Sequence, residues 1–372
     1  MNQFVVERDN LNAALTRVKE ASPTKSTIPI LGNVLLRAED GKLELTCTNL
    51  DMTISQSVAI DGPDSKIETT LPASMFAAMV NRMTAGADIT IKPDHEPHSL
   101  LVTCGRTEAI LPTLPGTDFP LMDAIQGGNS FTLPAHDLAT LLEKSCTSIS
   151  DEETRYYLGG IFLHVDNDRL AAVSTNGHHL SFYALDYLPD GAQDMPGVIV
   201  PRKTVPILQK LAKATEKEIV VSVTDTRIVA ECGNIAITSK LVDGNFPEYT
   251  RVIPRDEKCI VRLNTNAITN AVQTLNTIAV EREPSVEIVL EDEAVTLSLS
   301  TNDGAAAKNT QPCSYTKGEA GETLKMNSQY LHELLKSTGS PEINIHVSDA
   351  ASPYKLTINE STHVMVLMPR RV

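Results

Sequence analysis

Apolar residues recur along this chain with two different periods. In "LPAHDLATLLEKSC" the spacing of Leu138, Leu141, Leu142 and Cys146 lays one apolar stripe along a helix. By contrast, "KLELTCT" at 42–48 and "AVTLSLS" at 294–300 alternate as half-buried strands do, and Asp-Gly and Asn-Asp turns break such runs into antiparallel meanders. A strand ending in Val, Leu or Met, followed by a polar turn and a helical pattern, begins at Val6, Leu71, Leu133, Val200, Leu263 and Met326, at intervals of 62 to 67 residues. Pro134 and Pro201 are expected in the first turn of their helices, where a missing amide hydrogen costs nothing.

A longer repeat overlies this one. "LGNVLLRAEDGKLELTCTN" at 31–49 returns as "LGGIFLHVDNDRLAAVSTN" at 158–176 and more faintly as "VEIVLEDEAVTLSLSTN" at 286–302. The Thr-Asn pairs at 48, 175 and 301 are spaced by 127 and 126 residues, and "GTDFP" and "DGNFP" put Phe119 and Phe246 127 apart. A threefold repeat of two modules each predicts three α+β domains, each with antiparallel sheets and two helices. The linkers expected near Gly127-Gly128 and in "IPRDEK" divide the chain into 1–127, 128–255 and 256–372.

Composition narrows the function. No apolar run approaches the roughly eighteen residues of a membrane span, and "MNQFVVERDN" carries no export signal, so a cytoplasmic location and no membrane partner are expected. Cys47, Cys104, Cys146, Cys232, Cys259 and Cys313 are scattered singly, which fits neither a zinc ribbon nor a disulfide framework. A net charge of −15 weighs against nucleic acid if it is evenly spread. It is not evenly spread: Arg17, Lys19, Lys25, Arg82, Lys144, Arg202, Lys203, Lys210, Lys213 and Lys336 lie in or beside the helices, while "SDEE" at 150–153 and "EDE" at 291–293 are acidic. That pattern fits either ordinary solvated helix faces or a helix layer turned toward one polyanion.

The one stretch suggestive of chemistry is "STNGHHLS" at 174–181. Two adjacent histidines lack the spaced third ligand of a zinc site, and the equivalents "TNLDM" at 48–52 and "TNDGA" at 301–305 contain none, so the sheet does not require His178 or His179. No nucleophile elbow, metalloprotease helix, phosphate loop or dinucleotide fingerprint occurs in a suitable setting, so no catalytic residue, cofactor or metal is assigned. An adhesion or scaffold protein built from β-rich repeats should show an export signal and no basic bias on its helices.

"TIPILGNVLL", "RYYLGGIFLH", "TNGHHLS", "VIVPRKTV", "GNFPEYTRVIP" and "VMVLMPRRV", in this order along the whole chain, resemble the bacterial β sliding clamp family, the processivity subunit of the replicative DNA polymerase. The resemblance implies a non-enzymatic ring around double-stranded DNA. A 125-residue domain is roughly 36 Å across; three in a ring leave a hole of about 6 Å and six about 36 Å, against a duplex about 20 Å wide. A head-to-tail homodimer of six domains is therefore expected. Its contact is implied near Leu111 and Ile278, with Ala109 and Thr277 standing where larger apolar groups are usual. The resemblance further implies a hydrophobic pocket for peptides of the replicative polymerase and of other clamp-binding polymerases and repair proteins. It would comprise Thr175, Gly177, His178, His179, Leu180, Pro247, Arg251, Val252, Tyr330, Val366, Met368, Pro369 and Arg370, with His179 in place of a common arginine and Arg370 in place of an apolar residue. Lys25, Arg155, Tyr156, Tyr157 and Lys203 match DNA-facing positions, though either tyrosine equally suits a core. A separate ATP-driven clamp loader complex is implied as a further partner.

Overall fold

The computed structural model describes residues 3–62, 66–279, 281 and 284–370. Within them every strand pairing is antiparallel, and six α-helices follow the six predicted starts: α1 (Arg8–Val18), α2 (Ala73–Arg82), α3 (Ala135–Ser145), α4 (Val205–Lys213), α5 (Thr265–Asn276) and α6 (Ser328–Ser337). They pack in consecutive pairs, α1 with α2, α3 with α4 and α5 with α6. Each buries the apolar stripe that its sequence spells out; α6, for example, covers Leu331, Leu334 and Leu335. Asn264 and Asn327 cap α5 and α6, the former accepting from the amide of Ala267 at 2.9 Å and the latter from Gln329 at 2.9 Å and Tyr330 at 3.2 Å.

The two prolines behave differently from expectation. Pro134 and Pro201 each end the preceding strand, and α4 begins only at Val205, so Pro206 rather than Pro201 occupies its first turn. The Thr204 carbonyl receives the amides of Ile207 and Leu208 at 3.1 and 3.0 Å.

Chain contacts gather the protein into two compact units, residues 1–134 with 214–241 and residues 135–213 with 242–372. The middle repeat is divided between them because its strands are claimed from both sides. In the first unit, strand Ile235–Lys240 pairs with Met52–Ala59, placing Ile237 opposite Ile54 in a nine-stranded sheet. A separate four-stranded sheet of the same unit ends at strand Thr107–Pro112, whose outer side has no neighbour among the described residues. On that strand Leu111 faces inward and is 5% exposed, whereas Ile110 faces outward at 60%.

In the second unit, strand His179–Ala184 pairs with Val364–Leu367 within a run of twelve strands. Strand Ala306–Lys317 belongs to two neighbourhoods, pairing with Ala294–Ser300 along its first half and with Cys259–Asn264 along its second. One core of this unit is mainly aliphatic, closed around Val295, Leu297, Leu324 and Leu334, all fully buried, with Ile278 half-buried at its margin. A smaller cluster joins Leu180, Phe182, Tyr249 and Val366.

Leu297→Ala removes a side chain with no exposed surface. It is expected to cost about 3 kcal/mol of unfolding free energy by denaturant titration; a loss below about 1 kcal/mol would mean that the core closes over the gap.

Candidate functional site

The smaller cluster of the second unit is the floor of a cavity of about 230 Å³. One wall is the turn that carries the two histidines. Asn176 Oδ1 accepts the amides of His178 at 2.9 Å and His179 at 3.0 Å, and Thr175 Oγ1 donates to the His179 carbonyl at 2.8 Å. Such side-chain-to-backbone bonds hold a turn without help from the sheet. Gly177 sits there at φ +89°, a conformation that favours glycine, and a Cβ in its place would push aside the tip of the Arg155 side chain, 2.7 Å away at Nη1.

Strand alternation then separates the histidines. His178 is exposed, while His179 is 3% exposed with its Nδ1 2.6 Å from Ser148 Oγ. Both rings lie against Tyr330, with centroids 5.9 and 4.6 Å away. Pairing of Leu180 with Val366, continued by a 2.9 Å bond from the Met368 amide to the His178 carbonyl, brings the tail beside the turn.

Of the thirteen pocket residues implied by the resemblance, Thr175, Gly177, His179, Leu180, Pro247, Val252, Val366 and Met368 line this cavity. His178, Arg251, Tyr330, Pro369 and Arg370 do not, and Tyr330 lines an adjoining cavity instead. Arg155 and Tyr157, matched to DNA-facing positions, border the pocket; the Arg155 guanidinium is gripped by Glu152, at 2.8 Å from Nε and 2.5 Å from Nη2. Tyr156 is 60% exposed, which removes it from the core. Lys25 and Lys203 are exposed. Leu158 and Tyr249 also line the cavity and were missed by sequence reasoning, although "RYYLGG" and "GNFPEYT" contain them. Tyr249 is oriented by its hydroxyl, 2.9 Å from His164 Nε2.

Two of the basic residues beside the helices serve the fold. Lys144 Nζ donates to the carbonyls of Ser337 at 2.9 Å and Thr338 at 2.6 Å at the end of α6, and Lys213 pairs with Glu143 at 2.5 Å. Among the described residues no group of three candidate side chains stands ready to hold a metal ion, and no helix is long and apolar enough to cross a membrane.

Burial pushes His179 down to about 4, with the charge of His178 adding to it. Fully buried His363, bonded at 3.1 Å to Ser181 Oγ, is likewise pushed down to about 4 by burial and then by Lys144. Both rings are neutral in the folded protein, and the unfolded chain takes up their protons from about pH 6.5 downward. Stability is therefore flat above that value and falls as pH drops toward 4. The melting temperature is expected to be lower at pH 4.5 than at pH 7.5 by roughly 5 °C, and less so in the double variant His179→Gln, His363→Gln. An equal slope in that variant would place the titration elsewhere.

Profiles of the DNA polymerase III beta subunit match this chain end to end, the N-terminal domain over residues 2–123, the central domain over 132–248 and the C-terminal domain over 250–371. The chain is 34% identical over 377 residues to the beta sliding clamp of Caulobacter vibrioides and 30% identical over 373 to that of Escherichia coli, covering 100% of each chain in both cases. Among solved structures it resembles a sliding clamp of Bartonella birtlesii bound to griselimycin, with 33% identity, TM-score 0.93 and full coverage of both chains. It also resembles a Pseudomonas aeruginosa clamp bound to the same compound, with 28% identity and TM-score 0.94 over 100% of this chain and 99% of that one.

Proposed function

The chain belongs to the β sliding clamp family, the non-enzymatic β subunit of DNA polymerase III, and from that premise we propose how its residues encircle DNA and hold clients. The observation that carries this reading is the apolar cavity between the Thr175–His179 turn and the C-terminal strand. Leu158, Leu180, Val252, Val366 and Met368 offer aliphatic surface, and a flexible methionine at the rim suits a pocket that repacks around different peptides. Thr175, Gly177, Pro247 and His179 shape its wall, and Tyr330, His178, Arg251, Pro369 and Arg370 would meet the flanks of a peptide. The clients are the replicative polymerase, other clamp-binding polymerases and repair proteins, and a clamp loader complex that opens the ring.

Two copies joined head to tail, each of three domains bounded near 127/128 and 255/256, make a ring wide enough for a duplex. The edge strand Thr107–Pro112, with its unpaired backbone and outward Ile110, supports one half of the contact. Leu111, buried beneath, fixes that strand rather than meeting the partner. The first half of strand Ala306–Lys317, near Ile278, is the matching edge. Lys25, Tyr156 and Lys203 are proposed to touch the duplex backbone without reading bases, with Arg155 and Tyr157 at the border between that surface and the pocket. A cytoplasmic location accords with this role.

Loaded onto nicked circular DNA, the protein should persist on the circle and leave within minutes of linearisation at moderate salt. Equal retention on both forms would refute topological linkage. Ile110→Glu should shift the protein toward monomer in sedimentation and shorten its stay on the circle. Met368→Ala should weaken a bound client peptide about tenfold, in line with the loss of a contact at a recognition hot spot, while retention on the circle is unchanged; an unaltered peptide affinity would remove Met368 from the site.

A further inference from the structure

The Tyr249 wall of the apolar pocket is held from outside it. Strand Gly160–Asp166 places Phe162 and His164 two residues apart, on one face of the sheet. Their rings stack at 4.5 Å, Phe162 stacks in turn on Phe246 at 5.0 Å, and the His164 ring meets Tyr249 at 5.5 Å and 74°. Tyr249 also stacks on Phe182 at 5.8 Å. Gly197 backs this row so closely that a Cβ there would fall 2.5 Å from the Phe162 ring, which leaves the row no room to withdraw in that direction.

One hydrogen bond ties the row to the pocket. His164 Nδ1 faces the Phe162 carbonyl at 3.4 Å and so carries the ring proton, which leaves Nε2 to accept from the Tyr249 hydroxyl at 2.9 Å. Burial holds this imidazole below its ordinary range, against the opposing pull of the Phe162 carbonyl and Asp166, so Nε2 stays an acceptor near neutral pH. Tyr249 lines the cavity; His164 does not. The internal repeat adds an independent observation. Displaced by the period of 127 residues, the first repeat has Leu35 for Phe162, Arg37 for His164 and Met122 for Tyr249. There Arg37 pairs with Glu44 at 3.7 Å and Glu68 at 3.3 Å. The sheet therefore requires neither the imidazole nor the phenol, and the two stand together in the repeat that carries the pocket.

We propose that His164 is a positioning residue for client binding: from outside the cavity it fixes the Tyr249 ring as a wall against which the apolar side chains of a client segment pack. The inference rests on the peptide-pocket reading above. Without the bond, the buried hydroxyl loses its acceptor and the Tyr249 ring leaves its place to regain one. Only a fraction of the free protein then presents the finished wall, and apparent affinity falls by that fraction. The loss expected is about fivefold, the scale of one net hydrogen bond. A bond that served the fold alone would lower the melting temperature and leave the affinity of the folded protein as it was.

Fluorescence anisotropy with a labelled decapeptide carrying an adjacent leucine and phenylalanine, well below the melting temperature of each variant, tests this. His164→Phe keeps a ring in the stack and removes the acceptor; Tyr249→Phe removes only the hydroxyl. Each should weaken the peptide about fivefold, and the double variant should bind no more weakly than either, because both changes break one interaction. His164→Gln, which returns a polar acceptor beside the hydroxyl, should recover most of the loss. Affinity within twofold of the unaltered protein in Tyr249→Phe would overturn the inference while leaving the pocket standing, and that variant decides the matter even if His164→Phe fails to fold. Losses that multiply in the double variant, or a His164→Gln protein no better than His164→Phe, would overturn it equally. Failure of the peptide to bind the unaltered protein would overturn the pocket itself, and this inference with it.

Discussion

The pocket depends on one strand pairing. Strands His179–Ala184 and Val364–Leu367 lie far apart in the chain, yet their register sets Leu180 opposite Val366 and His179 opposite Leu367. Closing so long a loop is costly in chain entropy but grows only slowly with length, and here the cost is offset by aliphatic burial on both sides of the sheet. A shift of one residue would turn Leu180 and Val366 out of the cluster they share with Phe182 and Tyr249. The pocket floor and the joint between the central and C-terminal repeats are thus the same set of contacts. The cavity is thus a gap in a structure already held by its own sheet, so any peptide bound there, as proposed above, would meet a preformed surface.

Beneath the turn, buried polar groups are satisfied through helix ends. The amide of Ser148 donates to Ser174 Oγ at 3.1 Å, Ser148 Oγ meets His179, and Ser181 Oγ donates to the Lys144 carbonyl at 2.5 Å. Lys144 in turn closes the carbonyl end of α6, where a cation is favoured by unpaired carbonyls. The wall of the pocket is therefore bonded through His179 to the turn that follows α3, and the strand behind it through Ser181 to the last turn of α3 itself. Neutral histidines suit this position: a charged ring with so little water would weaken the folded state, as the depressed values of His179 and His363 record.

Charge is divided by use. Lys144 is spent within the protein and Lys213 on an exposed ion pair with Glu143, while Lys25 and Lys203 are exposed and, on the reading proposed above, meet the duplex. A chain with net charge −15 can still favour DNA at a few such positions and discourage it elsewhere.

Local pattern alone determined the six helices, the antiparallel meanders and the threefold repeat, because 3.6-residue and two-residue periods are set by backbone geometry within each segment. It did not determine where the compact units divide, since the middle repeat gives strands to neighbours on both sides through pairings such as Ile54 with Ile237 that have no local signature. Pro201 was misplaced because the signal for a helix start does not fix how many residues precede it. The roles of Leu158, Tyr249, Arg155 and Tyr157 at the pocket, the outward turn of Ile110 beside buried Leu111, and the burial of His179 beside exposed His178 were decided by tertiary structure. Each depends on which distant strand or helix end arrives beside it, and that choice is made by packing and register over long loops.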